Sequence, residues 1–386
     1  MYKPPPSRKL EQMEGEGSLD QGSATARSRA GAAVFVIGEE VPSVEDEAQA
    51  ILVRQLTRRL SQLGPTQLYT IGKQSAPDAI RMPGARPLLS IPMALELWRH
   101  RPAVVFYVFP ATVFAMLRAR LFSILSRGAR VVIVSPQPAR RRRWSGPLAR
   151  MLWPALVMVD SQAELQAAQR VSGRAARFMM GVDTRRFRPA AADEKRVLRK
   201  RWGLPAEGRI VLHVGHLKRS RNLGVMIELA RRPGVVPVML ASALRSPESE
   251  PLRADLARAG VLVLDGYQAD IEDLYRAADC YVFPVRSHLG AVAMPLSVLE
   301  ALACDVPVAT TRFGVLPELF AGVPGVIFGD SDPELVAAVE RLLEEPQTTS
   351  HLVEKYSWEA AVNGILEQTP WPAPTRGGAS GQDRRG

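Results

Sequence analysis

Glu300 is an isolated acid on an apolar stretch, flanked by Leu296, Val298, Leu299, Ala301 and Leu302, and from Leu274 to Leu299 the only other acid is Asp279. Pro295 stands where proline opens a helix, its ring presetting φ and its missing N–H costing nothing. Helical spacing then puts Ser297, Glu300 and Cys304 on one face and turns Leu296, Leu299 and Ala303 toward a sheet. A carboxylate so placed is either a solvated or capping glutamate or a two-oxygen acceptor for ligand hydroxyls. A second set of residues suits an anion. In VLHVGHLKRSRNL, Gly215 ends a buried strand and lets backbone come close, while His216, Lys218, Arg219 and Arg221 surround the turn. Ser220 is placed to cap the following helix, whose N-terminal amides favour phosphate.

Positioning these groups requires an alternating architecture. Strand-like runs at Ala33 to Ile37, Val104 to Phe109, Val131 to Val134 and Leu156 to Val159 alternate with helical patterns at Ser43 to Leu63 and Gln162 to Val171. The alternation restarts at Ile210 to Val214, with a helix from Asn222, and continues through Pro237 to Ala241, Val261 to Leu264, Cys280 to Phe283, Val306 to Ala309 and Val326 to Phe328. Parallel sheets covered by helices follow from such order. The expected class is α/β, two doubly wound halves joined near Gly181 to Ala192, which has no helical or strand periodicity. The chain of 386 residues, 46% hydrophobic, is long enough for two cores. Cys280 and Cys304 both lie in apolar surroundings and read as reduced core residues; no CxxC or HExxH spacing occurs.

These residues resemble a known family. The pattern PLSVLEALACDVPVATT, followed by Gly314, Pro317 and Glu318, looks like the donor-site signature of retaining GT-B glycosyltransferases, in particular glycosyltransferase family 4. GVDTRRFRP at Gly181 to Pro189, VGHLKRSRNL at Val214 to Leu223 and DGYQADIEDLYRAADCYVFP at Asp265 to Pro284 resemble the same family in the same order, and the likeness spans about residues 32 to 368. Several ordered matches are more specific than one glycine motif. The resemblance implies a GT-B fold with two Rossmann-like domains facing across a cleft. Residues 32–185 would form the acceptor-side domain, 186–207 a linker, 208–350 the donor-binding domain and 351–369 a C-terminal helix, with 1–31 and 370–386 as disordered tails.

The reaction so implied is transfer of a sugar from a nucleotide-sugar donor to a glycan or lipid-linked acceptor. Departure of the nucleoside diphosphate builds negative charge, which preorganised cations and helix N-terminal amides stabilise. By position, His216 and Arg221 would hold the diphosphate, and Glu300 would accept from the ribose hydroxyls. The Pro295 helix, with Leu296 and Ser297 in its first turn, would approach the diphosphate from the other side. Gly266 and Tyr267 would meet the base through backbone. No metal or other cofactor is expected, and same-face attack by the acceptor gives retention without a covalent enzyme nucleophile.

Two positions depart from the family pattern. His216 replaces an arginine, and imidazole is only partly charged near neutral pH. Val292 stands where a glutamate ordinarily contacts the donor sugar, so the sugar hydroxyls fall to backbone amides of Gly290, Val292, Ala293 and Met294, or to Ser287 or His288. In the N-terminal half, the turn after Gly38 can bring amides to the cleft, and Ser135 or Gln137 follow a later strand. His100, between Arg99 and Arg101, reads as a surface residue, and Asp160 and Ser161 read as a helix N-cap. These departures keep two alternatives open, a non-catalytic nucleotide-sugar-binding or scaffolding protein and a GT-B-like sugar-nucleotide epimerase.

Charge is strongly localised. From Leu97 to Val159 there is no Asp or Glu but eleven arginines, equal to the whole formal net charge of +11. Within it, Arg140, Arg141, Arg142, Arg143 and Trp144 precede Leu148, Met151, Leu152 and Trp153, a mixture suited to an anionic membrane headgroup region or acceptor. A solvated arginine-rich surface explains the composition equally. Nucleic acid is not expected, because no binding module is recognisable and the aromatics are not spaced as stacking platforms. The longest apolar run, Ala103 to Leu117, is short for a span and is broken by Pro110. The expected setting is cytoplasmic, peripheral to the inner face of a plasma membrane.

Overall fold

The computed structural model describes residues 34–39, 47–72, 76–82, 89–137, 147–243, 246–287 and 292–371. The N-terminal sheet has seven strands, β1 (Val34–Gly38), β2 (Thr66–Thr70), β3 (Ile80–Arg81), β4 (Val104–Val108), β5 (Arg130–Ser135), β6 (Leu156–Val159) and β7 (Ala175–Arg177), ordered β3-β2-β1-β4-β5-β6-β7. The second sheet has six, β8 (Arg209–Gly215), β9 (Val235–Ala241), β10 (Leu262–Asp265), β11 (Cys280–Phe283), β12 (Val308–Thr310) and β13 (Val326–Phe328), ordered β10-β9-β8-β11-β12-β13. All pairings are parallel. Strands such as β4 and β11 are buried along their length, so both sheet faces must be covered by helices.

Strand order reverses between β1 and β4 in one sheet and between β8 and β11 in the other, and open α/β sheets bind ligands at the carboxyl ends of strands beside such a switch point. Gly38 ends β1 and Gly215 ends β8. The α/β fold with two doubly wound halves is therefore as the alternation of strands and helices required.

The chain crosses between halves twice. After β7 it passes through Gly181 and Val182, and the helix Ala192–Arg201 packs on Ile271–Ala277 of the second half. Arg199 ties that helix down, donating to the Ala277 carbonyl at 3.1 Å and pairing with Asp279 at 2.5 Å, while Lys195 reaches Asp279 at 2.7 Å. At the other end the helix Trp358–Gln368 returns to pack on Ala48–Leu63. Val182 N–H donates to the Tyr356 carbonyl at 2.8 Å, and a Cβ on Gly181 would lie 2.6 Å from Trp358 Cα. Glycine at 181 is thus demanded by the close passage of two backbones.

Several local expectations are corrected. The helix after the Gly215 turn starts at Gly224 rather than Asn222, and no side chain caps it; Ser220 instead lies in a short 3-10 turn, Arg219–Arg221. Asn222 takes a left-handed φ of 55°, which ends that turn. His100 is no free surface residue, since its ring is half-buried with Nε2 3.6 Å from Glu96. Ser161 does cap its helix, accepting from Glu164 N–H, but Asp160 is wholly buried. Trp153 is 3% exposed and donates from Nε1 to the Arg174 carbonyl at 2.8 Å, so it is a core residue and no membrane anchor. Cys280 and Cys304 are free and buried.

Candidate active site

A cavity of about 420 Å³ opens between the two sheets' carboxyl ends. From the N-terminal half it is lined by Glu47, Ile51, Gln55 and Arg58 of the Ala48–Leu63 region and by Gln137; Val182, Asp183, Arg186 and Trp358 close the joint side. The second half contributes Gly215, His216, Arg221, Gly266, Tyr267, Val292, Pro295, Leu296, Ser297 and Glu300. A volume of this size holds a small organic ligand.

Ten of the donor-site residues that the resemblance implies thus share one cleft with Gln137. Gly38, Ala293 and Met294 do not line it, nor do Ser135, Lys218, Arg219 and Ser287. Gly38 is buried in β1, and its carbonyl accepts from Ile71 N–H. Ala293 and Met294 are buried, 2% and 0% exposed, while Val292 borders the cleft. Ala293 N–H donates to the Pro136 carbonyl at 3.3 Å and its own carbonyl accepts from Val315 N–H at 3.0 Å. A Cβ on Gly314, φ 55°, would stand 2.0 Å from that carbonyl oxygen, which explains the glycine there. Gly290 and His288, and Arg140, Arg141, Arg142, Arg143 and Trp144, lie outside the described residues.

The helix Leu296–Ala303 carries Glu300 one turn in from its start, with Pro295 at the N-cap. Glu300 is half-buried, and Tyr275 donates to its Oε2 at 2.8 Å. Burial pushes this carboxyl up from 4.5 to about 7, against the Tyr275 hydrogen bond and the Arg186 charge, with Glu272 adding repulsion. Tyr275 is itself fully buried between the rings of Phe187 and Tyr281, each with centroids 5.7 Å away, so the hydroxyl is held in place. Glu300 therefore has one oxygen engaged and the other available to a ligand.

The cations stand opposite. Arg221 projects from the 3-10 turn into the cleft; burial lowers its pKa, countered by Tyr281 and Glu47, and a guanidinium remains charged at any physiological pH. Its helical turn rests on Lys218, whose carbonyl accepts from Arg221 N–H at 3.0 Å. His216 contacts Ser242 Oγ through Nδ1 at 2.5 Å and lies 3.9 Å from Glu47 across the cleft through Nε2. Arg186 donates to Glu272 at 2.8 Å and to the Ala269 carbonyl at 2.5 Å, beside Glu300. Gly215 stands directly over His213, whose Nε2 would be 3.3 Å from any added Cβ.

Sequence reasoning missed Tyr275, Glu47, Ser242 and Arg186 as site residues. Arg186 lay within the quoted GVDTRRFRP segment and Tyr275 within DGYQADIEDLYRAADCYVFP, so motif membership was their only signal. No helix among the described residues is long and apolar enough to cross a membrane.

Residues 208–345 match the family model described as glycosyl transferases group 1. A D-inositol 3-phosphate glycosyltransferase of Thermobispora bispora is 30% identical over 213 residues, 48% of each chain. The lipopolysaccharide core biosynthesis mannosyltransferase LpsB of Rhizobium meliloti is 25% identical over 308 residues, covering 74% of this chain and 80% of LpsB. The chain thus spans about half the length of the first curated relatives it matches, and more of LpsB. Among solved structures, Anabaena Alr3699/HepE in complex with UDP and glucose superposes with a TM-score of 0.67 at 16% identity, over 87% of this chain and 98% of that one. Sucrose-phosphate synthase from Thermosynechococcus elongatus gives 0.65 at 17% identity, over 86% and 97%. Residues 208–345 are a group 1 glycosyl transferase domain, and they sit in a chain of GT-B architecture.

Proposed function

We propose that the protein is a retaining glycosyltransferase that moves a sugar from a nucleotide-sugar donor to a glycan or lipid-linked acceptor in cell-envelope or exopolysaccharide synthesis. The observation that carries this reading is the convergence of Arg221, the N-terminus of the Leu296–Ala303 helix and Glu300 in one interdomain cleft at the switch point of the second sheet. A diphosphate between the guanidinium and the helix amides has its leaving charge stabilised by groups already in place. His216 adds a hydrogen bond, and the free oxygen of Glu300 accepts from ribose hydroxyls. Gly266 and Tyr267 border the base. Val292 offers no acceptor to the sugar, leaving its hydroxyls to Gln137, Ser297 and backbone. The acceptor enters from the side lined by Glu47, Gln55 and Arg58. The diphosphate contacts use this chain's own cations, and the reading requires no metal.

That HepE has been solved with UDP and glucose, and that LpsB is a mannosyltransferase, supports a nucleotide-sugar donor. The test is a screen of UDP-, GDP- and ADP-sugars with candidate acceptors. A transferase releases nucleoside diphosphate in the presence of acceptor, with retained anomeric configuration in the product. Interconversion of the sugar alone identifies an epimerase, and binding without turnover a scaffold; either result overturns the reading.

A membrane setting for the acceptor is favoured by one surface. The helices Ile91–His100, Val113–Leu125 and Pro147–Leu152 lie side by side on the N-terminal half. They expose Ile91, Leu95, Trp98, Phe114, Leu148 and Met151, the last four within the acid-free segment. Among the described arginines of that segment, Arg118 is buried and donates to Tyr107 Oη at 2.9 Å, and Arg130 donates to the Pro370 and Trp371 carbonyls. Exposed apolar side chains in an arginine-rich segment suit anionic lipid headgroups. Binding to anionic liposomes that fades with salt is the expected result; equal binding to neutral liposomes refutes it.

A further inference from the structure

Asp160 is an acid that none of the chemistry above uses. It follows β6, is 0% exposed, and both carboxyl oxygens lack a hydrogen-bond partner among the described residues. Contacts between the two halves flank it. On one side Ala293 N–H, from the turn that presents Val292 to the cleft, donates to the carbonyl of Pro136 at the end of the neighbouring strand β5. On the other, Glu318 pairs with Arg177 at 2.5 Å and accepts from Gln162 N–H at 3.3 Å, while Arg177 Nε donates to the backbone carbonyl of Asp160 at 3.0 Å. The buried carboxyl thus lies between contacts that join the two halves.

We infer that Asp160 is a positioning residue, a neutral carboxyl in the wall between the halves that lets the 292–294 turn seat against β5 and β6, and that opposes seating once it ionises. An unpaired carboxylate is among the costliest groups to bury, so in the seated arrangement it takes a proton. Burial is the main cause raising its pKa, and Glu164 adds to this; its own backbone amide, the Arg177 charge and the Ala293 amide oppose it. The charged groups beside it in the described elements are thus Glu164, Arg177 and, from the second half, Glu318. Interfaces between domains of one chain ordinarily open and close. Once opened, this one exposes Asp160 to water, where its pKa returns toward the ordinary range. The sign follows: with the closed-state pKa raised, closure takes up a proton, is favoured below that pKa, and weakens as pH rises through it. At the limit, closure weakens about tenfold per pH unit.

The first test needs no ligand. Small-angle scattering of the full chain from pH 5 to 9 should show the wild type expanding as pH rises and Asp160→Asn remaining compact. Identical responses in the two proteins overturn the inference. Should the variant fail to fold, carbon-13 NMR of the Asp160 carboxyl in the wild type replaces it. Titration well above the ordinary carboxylate range, moving back toward it in Glu318→Ala, supports the inference; a carboxyl already ionised at pH 5 refutes it. A further readout rests on the nucleotide-site reading. The affinity of nucleoside diphosphate for Asp160→Asn relative to wild type should rise with pH, at most about tenfold per pH unit, since Glu300 and His216 are common to both proteins; a constant ratio contradicts the inference. Failure of either protein to bind nucleotide would count against the proposed function alone, with scattering still deciding the role of Asp160.

Discussion

Replacing Glu300 by glutamine should move stability and binding in opposite directions. The carboxyl's pKa stands at about 7 against an ordinary 4.5, chiefly through burial. The folded protein therefore holds a proton on Glu300 that the unfolded chain releases between those values. With a raised folded-state pKa, the associated stability is present at low pH and lost as pH rises through about 7. Each pH unit of difference is worth about 1.4 kcal/mol, and with the half-buried carboxyl still partly hydrated the loss by pH 8 is about 1–3 kcal/mol. Glutamine keeps the shape and an oxygen for the Tyr275 hydroxyl but carries no charge. Glu300→Gln should match the wild type near pH 4.5 and exceed it by about 1–3 kcal/mol at pH 8, measured by urea denaturation at both pH values. The same change replaces a charged acceptor for ribose hydroxyls by a neutral one, a loss of about 1–1.5 kcal/mol, or roughly tenfold in nucleotide affinity at pH 8. A variant less stable than wild type at pH 8 would refute the reasoning, because it would mean the carboxylate is stabilised rather than strained by its site.

Tyr275→Phe removes the hydroxyl that holds Glu300 Oε2, so the pH midpoint of nucleotide affinity should rise above about 7, seen by titration calorimetry across pH. Gly314→Ala forces a Cβ into the Ala293 carbonyl at a left-handed φ; it should displace the 292–294 turn and lower nucleotide affinity at least tenfold, with unfolding free energy down by about 2 kcal/mol or more. Leu148→Ser with Met151→Ser removes two exposed apolar side chains and should weaken binding to anionic liposomes severalfold in co-sedimentation while nucleotide affinity stays unchanged.

Legibility in the sequence followed the range of the interactions concerned. The helix from Pro295 to Glu300 was readable because proline, periodicity and the absence of other acids are local signals. The two sheets were readable because buried parallel strands are continuous apolar runs separated by amphipathic helices. Tyr275 was not, since its bond to Glu300 joins two helices whose approach only the tertiary fold determines. Glu47 reaches His216 from the other half of the molecule, and no spacing rule anticipates that. Trp153 was misread because a basic, aromatic stretch resembles a membrane anchor locally, whereas its indole is buried against the strand that leads to β7. Ala293 and Met294 share a motif with Val292 by adjacency, but tertiary packing buries both and leaves only Val292 at the cleft.

The most direct measurement is calorimetric titration of UDP, GDP and ADP into the wild type and into Arg221→Ala. One nucleoside diphosphate should bind the wild type, and loss of the guanidinium should cost about 2–3 kcal/mol, or on the order of a hundredfold in affinity, with the melting temperature of the free protein unchanged. Binding of none of the three, or equal affinity in the variant, would contradict a diphosphate held between Arg221 and the Leu296–Ala303 helix.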